Sequence, residues 1–238
     1  MTITGISSMA TRAVLAELAD AYEARSGHTV TIAAVGGVDA ASRVQAGEPF
    51  DIVVLARDAI DRLLAAGHLV AGSDVDLVRS GVAVAVRAGA ARPDIGSEDA
   101  LRRAVLAART IGYSTGPSGV QLARLFERWG ITGEVRERIV TPPPGVPVGG
   151  LVARGEVELG FQQLSELAHL AGVDVLGPLP AAVQIVTTFS AAVAAASRRP
   201  AAARALLAFM AAPAAADTKR RHGMDPPDGE RLSGVTTS

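Results

Sequence analysis

Small residues that carry hydroxyl, amide or free backbone N–H groups directly follow several predicted strands of this sequence. Such groups can bind an oxyanion or a carboxylate, because the first turn of a helix presents unpaired N–H groups and a positive dipole end. At any single turn, the more common role of Ser, Gly or Asp is that of a helix cap or turn residue. Taken together the turns predict a ligand cleft, with these candidate binding residues: Ser7, Ser8, Gly37, Val38, Arg57, Ser114, Ser118, Gly119, Val146, Gln162 and Gln163.

The segment STGPSG, residues 114–119, is the part of the chain to compare with phosphate-binding loops. It matches neither GxxxxGK[ST] nor GxGxxG, because Gly116 and Gly119 are three residues apart and no lysine follows. Nucleotide binding is therefore not predicted. Pro117, as a rigid corner ahead of Ser118 and Gly119, favours a helix start that faces an anion.

Asp39 is the one carboxylate that the pattern places beside the predicted cleft, two residues after Gly37. If the protein is an enzyme, Asp39 is the candidate catalytic base for moving a proton between neighbouring carbons of a ligand. A solvated position in the first turn of a helix is the more common role of such an aspartate. Both interpretations stay open at this stage.

The composition excludes several kinds of chemistry. The 238 residues include no cysteine, so no thiolate nucleophile, disulfide or iron–sulfur cluster is available, and the four histidines are scattered. Lys219, near the chain end, is the only lysine, which leaves little scope for Schiff-base chemistry. A net charge of −1 gives no electrostatic footprint for nucleic acid or an anionic membrane. We therefore expect no metal and no cofactor, a monomer, and a small anion or carboxylate as the partner.

Short β-branched runs alternate with helical stretches, which indicates an α/β fold with a mostly parallel sheet. Strands are predicted at 3–6, 29–35, 51–55, 82–87, 110–113, 134–140, 157–162 and 173–176, with an extended stretch at 183–193. Helices are predicted at 8–25, 39–45, 58–66, 97–107, 118–129, 148–153 and 200–211.

The strand pattern restarts near residue 82, which indicates two lobes. The extended stretch 183–193 can return the chain to the first lobe. We therefore predict a discontinuous lobe I of residues 1–80 plus 186–225, and a lobe II of residues 81–185. The polar residues 226–238 are predicted to be a disordered tail.

Four segments resemble the type II periplasmic binding proteins, in the branch of molybdate-binding proteins of ABC transporters. They are ISSMATRAVLAELADAYEARSG, QAGEPFDIVVLA, VARGEVELGF and RRHGM, and the resemblance spans about residues 1–225. It implies two lobes, each a mixed sheet flanked by helices, with the ligand cleft between them. It also implies a hinge motion that closes the lobes on the ligand, and an ABC permease as partner if the protein is exported.

The chain departs from the molybdate-binding pattern at the ligand site. In the family, serine hydroxyls from the first two turns and a tyrosine from the second lobe hold molybdate. Here Ser7 or Ser8 fits the first turn, but Val38 replaces the second serine, and Gln162 or Gln163 replaces the tyrosine. These changes favour a ligand with carboxylate or hydroxyl groups over molybdate.

Two functions fit this interpretation. The first is a binding protein for a small anionic or polar organic ligand. The second is an enzyme on the same scaffold, because similar proteins include isomerases that act on tricarboxylates such as aconitate.

The compartment follows from how the N-terminus is interpreted. MTITGISSMATRAVL has neither a basic region nor an apolar core ahead of a cleavage site, so the chain as written is expected in the cytoplasm. A periplasmic or extracellular location is expected if a leader was removed.

Overall fold

A nine-stranded mixed sheet is the framework of this protein, seen in a computed structural model that describes residues 1–143 and 146–227. The strands are β1 (Thr2–Ser8), β2 (Thr29–Val35), β3 (Ile52–Ala56), β4 (Val75–Arg87), β5 (Ile111–Gly112), β6 (Ile139–Val140), β7 (Leu159–Gln163), β8 (Val173–Pro178) and β9 (Val186–Val193). Their order is β2-β1-β3-β9-β4-β7-β5-β6, and β8 pairs with β4.

Helices cover the faces of this sheet. They are α1 (Arg12–Ser26), α2 (Gly37–Gln45), α3 (Arg57–Ala65), α4 (Glu98–Ala107), α5 (Pro117–Arg128), α6 (Thr132–Val135), α7 (Val148–Arg154), α8 (Leu164–Leu167), α9 (Pro200–Ala211) and α10 (Ala216–Arg221). Short 3-10 turns lie at Met9–Thr11, Arg136–Arg138, Ala181–Val183 and Pro213–Ala215. Local chemistry sets several ends: Ser97 accepts the Ala100 N–H at the start of α4, and Gly27, with φ of 68°, ends α1.

The long strand β4 divides the sheet into two lobes. Its first part, from Val75 to Gly81, pairs with β9, whereas its second part, from Val82, pairs with β7 and β8. The chain passes between the lobes a second time next to β4, just before β9. At this place the Val82 N–H donates to the Ile185 carbonyl at 2.9 Å. The lobes are therefore joined by two adjacent chain segments around Gly81.

Each lobe has its own apolar core. In the first lobe the core lies on both sides of β1, β3 and β9, under α1 and α9 on one face and α2 and α3 on the other. In the second lobe the largest cluster joins β4, β7, α4 and α5. The parallel strands β1, β2 and β3 end at one edge of the first lobe, and the parallel strands β5 and β7 end at one edge of the second. Ligands of such sheets bind beyond these carboxyl ends.

The structure corrects part of the predicted element list. The predicted strand 134–140 contains the end of α6 and a 3-10 turn, and only Ile139–Val140 is strand. The Arg138 guanidinium holds this segment against the end of α4 by donating to the carbonyls of Leu106 and Ala108. The first half of β4 and the short helices α8 and α10 are absent from the prediction. Of the predicted tail 226–238, residues 228–238 lie outside the described residues.

Within the described ranges, no helix combines the length and the apolar character that crossing a bilayer requires.

Candidate ligand site between the lobes

The carboxyl ends of β1 and β7 lie close together because a helix of the second lobe touches the first lobe. The 3-10 turn Met9–Thr11, directly after β1, contacts α8, directly after β7. Gly223 of the first lobe also packs against α8, since a Cβ atom built there would come within 3.1 Å of the Leu164 side chain. The short helix α8 of the second lobe thus contacts the first lobe at two places.

Five side-chain oxygens near this contact are buried and have no hydrogen-bond partner within the described residues: Ser7 Oγ, Ser8 Oγ, Ser80 Oγ, Gln163 Oε1 and Ser165 Oγ. We refer to these five residues as the junction cluster. A buried polar group without a partner costs about 1–3 kcal/mol, so native proteins contain few of them. Five such oxygens at one lobe junction fit a place where polar groups from outside the chain, a ligand or ordered water, complete the hydrogen bonding.

Hydrogen bonding and strand register connect two members of the cluster, Ser80 and Gln163, which lie near the chain segments that join the lobes. Gln163 Nε2 donates to Thr187 Oγ1 at 2.9 Å, and Thr187 lies opposite Ser80 across the β4–β9 pair. Rotating the Gln163 amide by 180° keeps this contact, with the Thr187 hydroxyl donating to Oε1. The amide then directs its N–H groups into the space that Oε1 occupies. All five residues of the junction cluster can therefore act as donors, which is what an anionic ligand requires.

Ser114 and Ser118 lie at the turn between β5 and α5. Ser114 Oγ accepts the Gly116 N–H at 3.4 Å, and Ser118 is partly exposed in the first turn of α5. Gly119 packs so closely on this turn that a Cβ atom there would lie 1.6 Å from the Ser114 carbonyl oxygen. Glycine is required at this position for α5 to start where it does, on the same edge of the lobe as Gln163.

Gln162 joins β7 to α7. Its Oε1 atom accepts the Gly149 N–H at 2.7 Å. Burial raises the pKa of Glu166 from 4.5 to about 7, and the nearby Gln162 side chain opposes this rise. Glu166 is still partly exposed, so a small molecule can reach it. A carboxylate that titrates near neutral pH therefore lies on the helix of the second lobe that contacts the first.

The remaining predicted residues lie in more open surroundings. A Cβ atom on Gly37 would be 3.9 Å from Ser8 Cβ, which places the start of α2 beside the end of β1. Val38 is 71% exposed, Asp39 is exposed in the first turn of α2, and Val146 is exposed just before α7.

The Arg57 side chain forms ion pairs with three aspartates. Its guanidinium pairs with Asp61 and Asp74 at 2.9 Å each and with Asp76 at 3.2 Å. These three carboxylates more than neutralise its single positive charge and raise its pKa, with Asp61 the largest cause. The structure does not bring Arg57 to the junction cluster, because Asp74 and Asp76 hold it at the start of β4, away from Ser80.

Arg12 is a cationic side chain that lies closer than Arg57 to the turn after β1. It lines a cavity of about 270 Å³ together with Ser7 and Asp20, between α1 and β2. Within the described residues no group of three or more histidine and carboxylate side chains is placed to hold a metal ion.

Ser80, Ser165 and Glu166 do not appear among the residues that the sequence predicts. Ser80 belongs to the half of β4 that the pattern does not predict as strand, and the other two belong to α8. The sequence signal for the last two was their position, since Ser165 and Glu166 lie two and three residues after Gln163.

Comparisons with known proteins agree with this architecture. A family model described as bacterial extracellular solute-binding protein matches residues 3–225. A protein of Pseudomonas sp. named aconitate isomerase is 40% identical over 205 residues, which cover 83% of this chain and 77% of that protein.

Solved structures are similar over nearly the whole chain. The periplasmic molybdate-binding protein of Azotobacter vinelandii superposes with a TM-score of 0.79 at 20% identity, covering 94% of this chain and 99% of that one. The sulfate-binding protein of Mycobacterium tuberculosis superposes with a TM-score of 0.78 at 19% identity, covering 96% and 88%. These similarities confirm the predicted two-lobed α/β fold.

Proposed function

Because the chain belongs to the family of bacterial extracellular solute-binding proteins, we propose that it binds a small polycarboxylate between its two lobes. The observation that carries this proposal is the junction cluster, whose five buried oxygens have no partner within the described residues. A carboxylate can accept hydrogen bonds from several hydroxyl and amide donors at once, and such charge-assisted bonds are stronger than neutral ones.

The chemistry of the site favours carboxylates over a compact tetrahedral oxyanion. The donors come from separate elements, with Ser7 and Ser8 at the end of β1, Ser80 in β4, and Gln163 with Ser165 after β7. A ligand with two or three carboxylates can engage such separated donors simultaneously. Arg12, beside Ser7, can supply a positive charge.

Isothermal titration calorimetry of the purified protein against cis-aconitate, trans-aconitate, citrate, molybdate and sulfate tests this proposal. We expect saturable binding of at least one of the polycarboxylates and none of the inorganic oxyanions. Binding of molybdate or sulfate without any polycarboxylate would contradict it.

A second candidate function is the isomerisation of aconitate. It is favoured by the 40% identity to a protein named aconitate isomerase, and by a carboxylate, Glu166, that titrates near neutral pH on the helix between the lobes. Proton NMR of trans-aconitate incubated with the protein distinguishes the two functions. Appearance of cis-aconitate supports the enzyme, whereas binding without conversion supports a receptor alone.

The two compartments predicted from the sequence have different partners. In the periplasm or outside the cell a receptor delivers its ligand to an ABC permease, whereas an isomerase needs only its substrate. Fractionation of the native cells, with the protein detected by antibody, decides between the cytoplasm and an exported location.

A further inference from the structure

Two histidines that are far apart in the chain meet where the first lobe contacts the second. His169 follows α8 of lobe II, and His222 follows α10 of lobe I. Their rings pack edge to face with centroids 6.1 Å apart, and His169 Nε2 lies 3.3 Å from the Arg221 carbonyl oxygen. Beside them, a Cβ atom on Gly223 would lie 3.1 Å from the Leu164 side chain. The histidine pair is therefore part of a direct contact between the lobes.

Glu17, on α1 of lobe I, holds His222 in one orientation. Its Oε2 atom accepts a hydrogen bond from His222 Nε2 at 2.8 Å, and its Oε1 atom accepts from Arg221 and from Thr218. The hydrogen bonds from Arg221, the largest cause, and from His222 lower the pKa of Glu17 from its usual value, so this carboxylate is ionised near neutral pH. An ionised carboxylate only accepts hydrogen bonds, and His222 therefore carries a proton on Nε2.

The other ring nitrogen of His222 has no such partner. Nδ1 is buried and forms no hydrogen bond within the described residues. In the neutral ring this atom is an acceptor, but a second proton turns it into a buried N–H donor that nothing satisfies. Separation of the lobes removes the His169 ring from beside His222, and water can then accept that hydrogen bond. Protonation of His222 is thus easier when the lobes are apart.

The charges at this contact change in the same direction. When both histidines are neutral, Arg221 and Glu17 balance each other, and the lobes meet without net repulsion. When both are protonated, His169 brings one positive charge to a group of lobe I side chains that has gained one as well. The hydrogen bond from His169 to the Arg221 carbonyl strengthens on protonation, but it is exposed to water and opposes the trend only weakly. Acid therefore weakens the contact.

Other charged groups on the elements that meet here leave this trend in place. Asp217 and Arg220 of α10 pair with each other at 3.0 Å. Burial raises the pKa of Glu166 on α8 to about 7, so this side chain loses its negative charge as the pH falls and adds to the effect of the histidines. The other charged residues within one helical turn of the contact along the chain are Asp20, Lys219 and Asp225, and Arg79 of β4 lies opposite Asp225.

We propose that His169 and His222 form a pH-sensitive contact between the lobes, which holds them together when both rings are neutral and releases them when the rings are protonated. Histidine is the side chain that ordinarily changes its charge between about pH 5 and about pH 8. One consequence rests on the proposed binding function. Affinity for the ligand should fall on acidification, because the ligand needs donors from both lobes at once.

The first test follows the distance between the lobes without any ligand. Spin labels at Arg62→Cys of lobe I and Glu127→Cys of lobe II, both exposed positions, report this distance by pulsed electron paramagnetic resonance. We expect the distance distribution to become longer or broader between about pH 7.5 and about pH 5.5. His222→Gln should lose most of this change, because its amide can still donate to Glu17 but takes up no proton.

The second test measures affinity by calorimetry. The Kd of wild-type protein for trans-aconitate should rise about tenfold between the same two pH values, as expected where binding is linked to the release of about one proton. His222→Gln, and His169→Gln at an exposed position, should lose most of this rise. Comparison of proteins at equal pH removes the contribution of the ligand's own protonation. His68→Gln, a histidine of lobe I outside the contact, is the matched control and should keep the full pH dependence.

The outcomes separate the contact from the function that it regulates. A distance distribution that is the same at both pH values in the otherwise wild-type protein overturns the pH-sensitive contact. A full pH dependence of the distance in His222→Gln or in His169→Gln overturns it as well. If neither trans-aconitate nor citrate binds at either pH, the proposed binding function fails, and the distance measurements without ligand still decide the role of the histidine pair.

Discussion

At the scale of residues, this protein has two kinds of buried serine, and the difference is informative. Ser73 is fully paired, since its Oγ donates to the Val70 carbonyl and accepts the Val193 N–H at 3.0 Å. Ser80, in the same strand-rich region, is 1% exposed and has no partner within the described residues. The first serine stabilises the fold, and for the second we propose a contact with the ligand.

Replacement of each serine by alanine should therefore have opposite consequences. Ser73→Ala leaves the buried Val193 N–H unsatisfied, and we expect it to lower the free energy of unfolding by about 1–3 kcal/mol. Ser80→Ala removes a hydroxyl that has no hydrogen-bond partner within the described residues. The free energy of unfolding should therefore stay the same or rise slightly. Affinity for a polycarboxylate should fall about tenfold or more in Ser80→Ala, because a hydrogen bond to a charged group is lost. Urea denaturation and calorimetry on both variants measure the two effects, and equal destabilisation would contradict the assignment of Ser80 to the site.

The carboxyl group of Glu166 gives a pH dependence to stability. Its pKa is about 7 in the folded chain and near 4.5 when exposed, so the folded state holds this proton more tightly than the unfolded state does. The free energy of unfolding must then fall as pH rises from about 4.5 to about 7, and this contribution levels off above that range. Glu166→Gln stays neutral throughout and lacks the decrease.

We expect Glu166→Gln to gain stability relative to wild type by a few kcal/mol between pH 5 and pH 8, at about 1.4 kcal/mol for each unit of pKa difference. Urea unfolding of the ligand-free proteins at several pH values provides the measurement. The exposed Glu137→Gln serves as the matched control. A pH-independent difference for Glu166→Gln would mean that burial does not shift this carboxyl group.

At the scale of elements, the close packing of Gly119 determines where helix α5 begins. Ser118 lies in the first turn of this helix. A Cβ atom on Gly119 would lie 1.6 Å from the Ser114 carbonyl oxygen, and this oxygen belongs to the backbone and cannot turn aside. The start of α5 is thus set by a contact that only glycine permits.

Gly119→Ala should displace α5 from the turn after β5. We expect a loss of about 1–3 kcal/mol in the free energy of unfolding, typical of forcing an extra carbon into a packed position, and a weaker affinity for the ligand. Gly133→Ala is the matched control, since a Cβ atom there meets nothing within 4 Å and alanine favours the helix. Thermal unfolding and calorimetry measure both variants, and wild-type behaviour of Gly119→Ala would show that α5 tolerates the shift.

At the scale of the whole molecule, the junction cluster lies where the two lobes meet, so we expect its accessibility to depend on how far the lobes are apart. Ser7 is 0% exposed and Gln163 is 5% exposed in the described structure. The two adjacent chain segments around Gly81 are where such a separation can occur.

We predict that lobe I, residues 1–80 plus 186–225, and lobe II, residues 81–185, move as two bodies. The chain has no cysteine, so spin labels can be attached at introduced cysteines alone. With labels at the exposed positions Arg62 and Glu127, one in each lobe, pulsed electron paramagnetic resonance should show a distance that shortens or narrows when a polycarboxylate binds. A pair of labels at Arg62 and Ala24, both in lobe I, is the control, and the distance between these labels should not change. A constant distance between the labels at Arg62 and Glu127 would contradict the hinge motion.

Local sequence patterns determined much of the fold. The strand at 29–35 and the helix at 200–211 have the predicted bounds, because β-branched periodicity and a proline at a helix start act within a few residues. The absence of cysteine and the single lysine likewise limited the chemistry to hydroxyls, amides, arginines and carboxylates. The predicted binding residues Ser7, Ser8 and Gln163 lie in the junction cluster, although their role in binding stays a prediction.

Only the tertiary structure decided which polar groups are buried together. Ser80 and Gln163 are 83 positions apart, and both lie next to Thr187 because β4 pairs with both β9 and β7. Arg57 meets three aspartates, two of which arrive from the start of β4. Glu166 acquires its raised pKa from the elements that enclose α8. Burial and pairing depend on contacts between distant parts of the chain, and a local pattern of residues contains no record of them.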